Sequence, residues 1–184
     1  MKKVILIIIA LVFMGGISTS CSNGQSLQAY YVDKQESNNF IAIDLPASLI
    51  NLKEDVSLET KDAVSSIKKL NILAFKLNDS NSEEYKAEYK KVKEILKSDR
   101  YNELVRVKHK NANIVLKYQG PDDAIDEFIL LASDDTKGFA IARILGDNMN
   151  PEKIMKLVQN LDKFDSDGTA FAQIEGLMDD FKVE

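Results

Sequence analysis

The sequence predicts an α+β domain in which helices pack on a largely antiparallel sheet that ends in a C-terminal four-strand meander. The first observation is the stretch 103–147, where four segments show the alternating or continuous apolar patterns of β-strands. Short segments rich in Asn, Gly, Pro and Asp join them, as turns require. The second observation is that helical patterns are interspersed among the earlier strands, an order that favours α+β.

Residues 1–20 have the features of a secretory signal peptide. Lys2 and Lys3 precede an apolar run, and small residues follow that run. As a helix, residues 4–17 would span about 21 Å, which is less than the ~30 Å hydrocarbon core of a membrane. A permanent membrane helix is therefore not expected.

The small residues before Cys21 resemble a bacterial lipobox, although Ser18 stands where an apolar residue is usual. The resemblance implies cleavage before Cys21 and attachment of acyl chains to it, and several acyl chains anchor a protein far better than one. The alternative is an ordinary signal peptide with an unmodified cysteine nearby. Because Cys21 is the only cysteine, no intramolecular disulfide can form.

The segment after Cys21 is polar and has no clear periodicity. It predicts a lipidated tether over residues 21–38, followed by a folded α+β domain over 39–161. Within the tether, Tyr30 and Tyr31 could dock on the domain or begin a short helix.

The first part of the domain mixes strands with helices. The expected elements are a strand over 39–45, a helix over 44–52, a helix that begins after Ser57, a strand over 70–77 and a helix that begins at Ser80. Ser80 and Glu83 have the spacing of a capping box. The apolar stripe of that last helix consists of Tyr85, Tyr89, Val92 and Leu96.

The first hairpin of the meander separates apolar from basic residues. A turn at residues 111–112 would pair Val105 with Tyr118 and Val107 with Leu116, which puts apolar side chains on one face. The other face carries a candidate surface for an anionic partner, formed by Arg106, Lys108, Lys110 and Lys117. A solvated sheet face is the alternative, although like charges that face each other across strands cost some stability.

The end of the chain contains two further helical patterns. Pro151 suits the first turn of a helix that follows the meander. Residues 162–184 form a C-terminal amphipathic segment, which would dock on the domain or on a partner. Its apolar stripe consists of Phe171, Ile174, Leu177, Met178 and Phe181.

With this layout, the chain resembles the small exported lipoproteins of Bacteroidota described as the domain of unknown function 4252 family. The features are the lipobox-like start, NFIAIDL, SSIKKLNILAF, YNELVRVKHKNANIVLKYQG, the pair EFILLAS and GFAIARILGD, and NPEKIMKLVQNL. The resemblance covers residues 38–161, and it implies no activity and no catalytic residues. The resemblance implies that the protein is an outer-membrane lipoprotein. The absence of an acidic run after Cys21 favours the periplasmic side over the cell surface.

Residues suited to metal binding or catalysis are few. His109 is the only histidine, and its place on an apolar strand face favours a packed or rim side chain. The Asp-rich stretch 162–168 resembles a calcium loop, but Ile174 stands where that loop needs a Glu. Asp122, Asp123, Asp126 and Glu127 are expected to be turn and edge charges. No metal, cofactor or catalytic residue is therefore assigned.

Two classes of function follow. The chain has 24 basic and 29 acidic residues and a net charge of −5, so no overall attraction to nucleic acid is expected. The first class is a non-enzymatic, lipid-anchored envelope protein. It would act as a binding module for an envelope protein or lipid, and acyl chains on Cys21 would anchor it in the membrane. The second is an envelope hydrolase that uses carboxylates, which a cleft with a carboxyl group of raised pKa would favour.

Overall fold

The computed structural model of the chain describes residues 25–49 and 56–159. The predicted signal peptide, Cys21 and the C-terminal segment 162–184 lie outside the described residues. The helices are α1 (Leu27–Lys34), α2 (Leu58–Ser65), α3 (Ser82–Ile95) and α4 (Pro151–Gln159), and a 3-10 turn covers Ala47–Leu49. The strands are β1 (Phe40–Pro46), β2 (Ile67–Lys76), β3 (Asn102–His109), β4 (Ala112–Gln119), β5 (Ile125–Asp134) and β6 (Gly138–Met149).

The strands of the described part form one six-stranded sheet in the order β1-β2-β6-β5-β4-β3. Every neighbouring pair is antiparallel, and β3 to β6 follow one another as a meander. The predicted α+β class and antiparallel sheet are therefore confirmed. β6 lies between β2 and β5, so it joins the meander to the two earlier strands.

Helices cover both faces of this sheet, which explains why β5 and β6 are apolar on both sides. α1 and α3 pack on one face, here called the α3 face, where Phe75, Leu131 and Phe139 are buried. α2 and α4 pack on the other, here called the α4 face, where Phe128 is buried and Ile144 is partly buried.

Aromatic rings form the centre of the α3 face. Phe75 and Phe139, which are paired in register on β2 and β6, stack with centroids 5.7 Å apart. Phe40 meets Phe75 edge-on at 5.1 Å, and Tyr85 of α3 lies 6.1 Å from Phe139. Buried aromatic rings contribute large apolar areas, so this cluster fixes α3 against the middle of the sheet.

Helix α1 corrects the predicted start of the domain. Residues 27–34 lie in the predicted tether, and the alternative given for Tyr30 and Tyr31, docking on the domain or a short helix, is the one observed. They form a helix whose Leu27, Tyr30 and Tyr31 are buried in the α3-face core. The Ser26 side chain caps this helix by accepting a hydrogen bond from the Ala29 backbone at 3.1 Å. The folded domain therefore includes α1, because its three buried side chains are part of the core.

The β3–β4 register corrects a second prediction. His109 pairs with Ala112, so Lys110 and Asn111 form the turn, and Val105 pairs with Leu116. The predicted register was shifted by two residues. A shift of two keeps every side chain on its predicted face, because the side-chain period of a strand is two. Lys110 has φ 50°, the left-handed conformation that tight turns use.

Three predicted boundaries also move. β1 extends to Pro46 and a short 3-10 turn follows it where a helix was expected. β2 begins at Ile67 rather than at residue 70. α3 has Asn81 as its N-cap, and the predicted capping box at Ser80 is wrong. The Asn81 side chain instead accepts from the Asn78 backbone at 2.8 Å and donates to the Lys76 carbonyl at 3.0 Å.

No helix among residues 25–49 and 56–159 combines the length and apolar character needed to cross a membrane.

Candidate functional site

The predicted basic residues lie on the β3–β4 hairpin at the edge of the sheet. Arg106 pairs with Val115 and Lys108 pairs with Asn113, and these residues belong to the α3 face. Lys117 lies farther along β4 on the same face, and Lys110 lies in the turn. α3 does not reach the edge strand, so these side chains flank an opening between the helix and the hairpin.

This opening consists of two adjoining pockets. The first has a volume of about 290 Å³ and the second about 360 Å³. Because Tyr89, Lys93, Arg106 and Asn113 line both, we treat them as one site and call it the basic groove. All four predicted cations line the basic groove: Arg106, Lys108, Lys110 and Lys117.

The helix side of the basic groove supplies cations that sequence reasoning missed. Lys93 of α3 and Lys97 beyond its end both line the groove. The Lys93 ammonium lies 4.5 Å from the centre of the Tyr89 ring, a cation–π contact that holds it on the groove side of the helix. The four-residue spacing of Tyr89 and Lys93 indicates that both lie on one face of the helix. The local sequence does not indicate that this face will lie next to β3.

The floor of the basic groove is apolar. Val115, Leu131 and Leu96 line it and are themselves buried in the domain. The exception is Asn113, whose side-chain oxygen Oδ1 is buried and accepts no hydrogen bond from any described residue. A buried acceptor without a donor is costly, so this oxygen can accept a hydrogen bond from water or from a ligand in the groove.

The cations of the groove differ in how far they are already neutralised. Arg106 binds Glu103 through two contacts, Nε–Oε1 at 2.9 Å and Nη2–Oε2 at 2.6 Å. Lys117 donates to the Tyr101 carbonyl at 3.2 Å. Lys108 makes no ion pair with any described residue. The groove therefore keeps an excess of positive charge, because its acidic lining residues are Glu103 and Asp135.

The electrostatics of Glu103 bear on acid–base chemistry. The hydrogen bond from Arg106 lowers the pKa of the Glu103 carboxyl, and the same bond raises the pKa of Arg106. A general acid needs a raised pKa, so Glu103 is not suited to that role. In the described ranges there is also no group of three or more His, Cys, Asp or Glu side chains placed to hold a metal ion.

A second charged cluster lies on the same face of the sheet, below α1. Arg143 of β6 donates from Nε to Glu127 Oε1 at 2.5 Å and from Nη1 to Gln28 Oε1 at 2.6 Å. This corrects the expectation that Glu127 is a turn or edge charge, because its side chain is buried with that of Arg143. The sequence signal was Arg143 itself, the only charged residue in the apolar strand segment GFAIARIL.

Asp44 extends the polar contacts below α1. The Tyr31 hydroxyl donates to Asp44 Oδ1 at 2.9 Å, and Asn71 and Lys69 also donate to this carboxylate. Burial alone would raise the pKa of Asp44, but the hydrogen bonds from Lys69, Tyr31 and Asn71 outweigh it and lower that pKa. We call Arg143, Glu127, Gln28, Tyr31 and Asp44 the α1 network. Its contacts fasten the helix to the sheet.

Two other candidates lie outside what is described. The side chain of His109 and the Asp-rich stretch 162–168 are not among the described parts of the chain.

The basic groove and the α1 network, apart from Gln28, lie within the range matched by a known family. The sequence profile of the family described as "Domain of unknown function (DUF4252)" matches residues 30–157, which run from α1 into α4. No curated protein and no solved structure matches the chain. The matched range covers well over half of the sequence and nearly all of the described domain. The chain therefore belongs to the DUF4252 family.

Proposed function

We propose that the chain is a lipid-anchored binding module of the cell envelope, and that its basic groove receives an anionic ligand. The observation that carries the proposal is the convergence of cations from two separate elements on one concave site. The lining cations are Lys93, Lys97, Arg106, Lys108, Lys110 and Lys117. They stand out on a chain whose net charge is −5. Clefts lined by one sign of charge concentrate ligands of the opposite sign.

The floor of the groove narrows the class of ligand. Val115, Leu131 and Leu96 offer apolar contact below the cations. The volumes of about 290 and 360 Å³ lie at the lower end of small-molecule sites, which are roughly 300–1,000 Å³. A ligand with an anionic group and an apolar tail satisfies both features, so we propose an anionic amphiphile.

The proposed anchor fits the position of the groove. Five residues separate Cys21 from α1, and five extended residues span about 20 Å at most. Leu27, at the start of α1, belongs to the same core cluster as Tyr101, and the Tyr101 carbonyl accepts the hydrogen bond from Lys117 of the groove. Acyl chains on Cys21 would thus hold the groove side of the domain close to a membrane.

The lipobox-like sequence and the signal peptide support export and lipidation of Cys21. We propose an outer-membrane lipoprotein of Bacteroidota type that faces the periplasm, with the cell surface as the alternative side. Intact mass of the protein purified from membranes tests this. Acyl chains on Cys21 are expected, and an unmodified chain in the soluble fraction would reject the anchor while leaving the groove untouched.

The ligand class is tested with the mature chain carrying Cys21→Ser. Dodecyl phosphate, an anionic amphiphile, and dodecyl maltoside, which is neutral and has the same tail, are titrated below their micelle concentrations. Amide shifts in β3 and β4 report binding by NMR. We expect dodecyl phosphate to bind. Lys93→Glu should lower the affinity about tenfold, which corresponds to roughly 1.4 kcal/mol of binding free energy.

Lys90→Glu is the matched control, because Lys90 is an exposed lysine of the same helix that does not line the groove. It carries the same change of charge and should leave the affinity almost unchanged. Equal affinity for the two detergents would reject the basic groove as an anion site. Equal loss of affinity for dodecyl phosphate in Lys93→Glu and Lys90→Glu would also reject it.

A further inference from the structure

The helices cover the α4 face of the sheet unevenly. α2 and α4 pack around Phe128 at the end of the sheet where β6 leads into α4. Farther along the strands, no helix among the described residues covers this face. Its large apolar side chains are 37–48% exposed, and we call them the open patch: Val105, Val107, Ile114 and Leu130.

The open patch is continuous across strands. Val107 pairs with Ile114 on β4, and Ile114 pairs with Ala132 on β5. In the next row on the same face, Val105 pairs with Leu116, which pairs with Leu130. Neither row contains a polar side chain. A contiguous exposed apolar surface of this kind marks a site that another element covers.

The described part of the chain ends in α4, whose apolar cluster borders this patch. Ile154 and Leu157 of α4 belong to the same cluster as Phe128, and Leu116 packs against that cluster. Leu116 also lies between Val105 and Leu130 in register, so the α4 cluster borders the open patch. α4 ends at Gln159, and 25 residues follow it to the end of the sequence.

Those residues contain a sequence of the right character and length. The apolar stripe predicted for residues 169–181 would lie on one side of a helix about 20 Å long. The four strands β3 to β6 are together about 14 Å wide between their axes. The intervening residues 160–168 reach up to about 30 Å when extended, so the stripe can arrive at any part of the open patch.

We propose that residues 169–181 pack as a helix on the open patch, with their apolar stripe against β3, β4 and β5. The C-terminal segment would then complete the cover of the α4 face. This inference does not depend on the basic groove, which lies on the opposite face of the sheet.

The test uses pairs of cysteines in the full mature chain carrying Cys21→Ser, which removes the only native cysteine. Val107→Cys is combined with Leu177→Cys, and the control combines Val107→Cys with Asp179→Cys, on the opposite side of the predicted helix. After mild oxidation, we expect the first pair to form at least fivefold more intramolecular disulfide than the control. Intact mass and non-reducing electrophoresis separate monomers from dimers.

Equal yields in the two pairs would overturn the proposal. Disulfide-linked dimers in place of cross-linked monomers would also overturn it, because a second copy would then occupy the open patch.

A second measurement does not depend on disulfide geometry. Leu177→Asn removes an apolar contact, whereas Asp179→Asn places the same new residue on the polar side. We expect the first variant to shift the amide signals of Val107, Ile114 and Leu130 by NMR and the second to leave them in place. Unchanged signals in Leu177→Asn would show that the C-terminal segment does not contact this face.

Discussion

The α1 network and the basic groove lie on the same face of one sheet and use the same kind of ion pair, yet they differ in exposure. Arg143 and Glu127 are 4% and 10% exposed and lie 2.5 Å apart. Arg106 and Glu103 are 46% and 39% exposed and lie 2.6 Å apart. The distances are nearly equal, so the contact itself does not distinguish the two pairs.

The difference comes from what covers each pair. α1 lies over Arg143, and Gln28 of that helix accepts a hydrogen bond from its Nη1. α3 leaves the β3 edge open, so Arg106 can exchange Glu103 for another anion or for water. A buried pair cannot lose one partner without leaving a charge in a poorly solvated site, whereas an exposed pair contributes little to stability. Burial thus makes one pair structural and leaves the other available for binding.

The largest expected effect comes from breaking the buried pair. Glu127→Ala leaves the Arg143 guanidinium buried, with Gln28 as its one side-chain hydrogen-bond partner among the described residues. We expect the free energy of unfolding to fall by about 3–5 kcal/mol, measured by urea denaturation. Glu103→Ala is the matched control, since it removes the carboxylate partner of an exposed arginine, and it should have a much smaller effect. Equal losses in the two variants would mean that burial does not distinguish the pairs.

A smaller effect is expected from a single hydroxyl group in the α1 network. Tyr31→Phe removes the hydrogen bond to Asp44 without changing the ring that packs in the core. We expect a loss of about 1–2 kcal/mol in thermal or urea unfolding. Tyr118→Phe removes a similar bond, from its hydroxyl to Asp122 at 2.7 Å, but that bond is exposed to solvent. If Tyr118→Phe lowers the free energy of unfolding as much as Tyr31→Phe does, the hydrogen bond in the α1 network stabilises the fold no more than an exposed one.

The pH dependence of stability tests Asp44 in the same network. The pKa of the Asp44 carboxyl in the folded protein lies below the ordinary value of 3.8. At pH values between the two, the unfolded chain therefore binds more protons than the folded protein. The stabilisation is therefore complete above pH 3.8 and decreases as the pH falls through the folded-state pKa. In Asp44→Asn this part of the acid-induced loss should disappear from urea unfolding curves measured at several pH values.

Asp79→Asn, in the exposed loop before α3, controls for the change in net charge. If the free energy of unfolding falls as steeply with decreasing pH in Asp44→Asn as in the parent protein, Asp44 is not the source of this loss.

The smallest effect on stability is expected in the basic groove. Arg106→Ala removes an exposed pair, so the free energy of unfolding should change by about 0–1 kcal/mol. The same variant should weaken the binding of dodecyl phosphate severalfold, as measured by calorimetric titration. Lys90→Ala should change neither quantity. A large loss of stability in Arg106→Ala would place Arg106 with the structural charges instead of the binding surface.

Sequence reasoning identified the cations of one wall of the groove but not the groove. Alternation along β3 placed Arg106 and Lys108 on one face, and the observed register keeps them there. Lys93 and Tyr89 come from a helix, and the local sequence contains no information about which strand that helix will flank. Glu127 was misjudged for a related reason, because a carboxylate beside a turn resembles a surface charge until its partner on β6 is known.

What the sequence determined by itself is local. The alternation of apolar and polar residues fixed the strands of the meander and the faces of their side chains, since the period of a strand depends only on the backbone. The tertiary structure alone decided that α1 belongs to the domain, that β6 lies between β2 and β5, and that α3 leaves the β3 edge open. These features depend on contacts between distant residues, such as Arg143 with Gln28, which are 115 positions apart. Whether a charge holds the fold or remains free to bind is settled by such contacts, because they determine how much water remains around it.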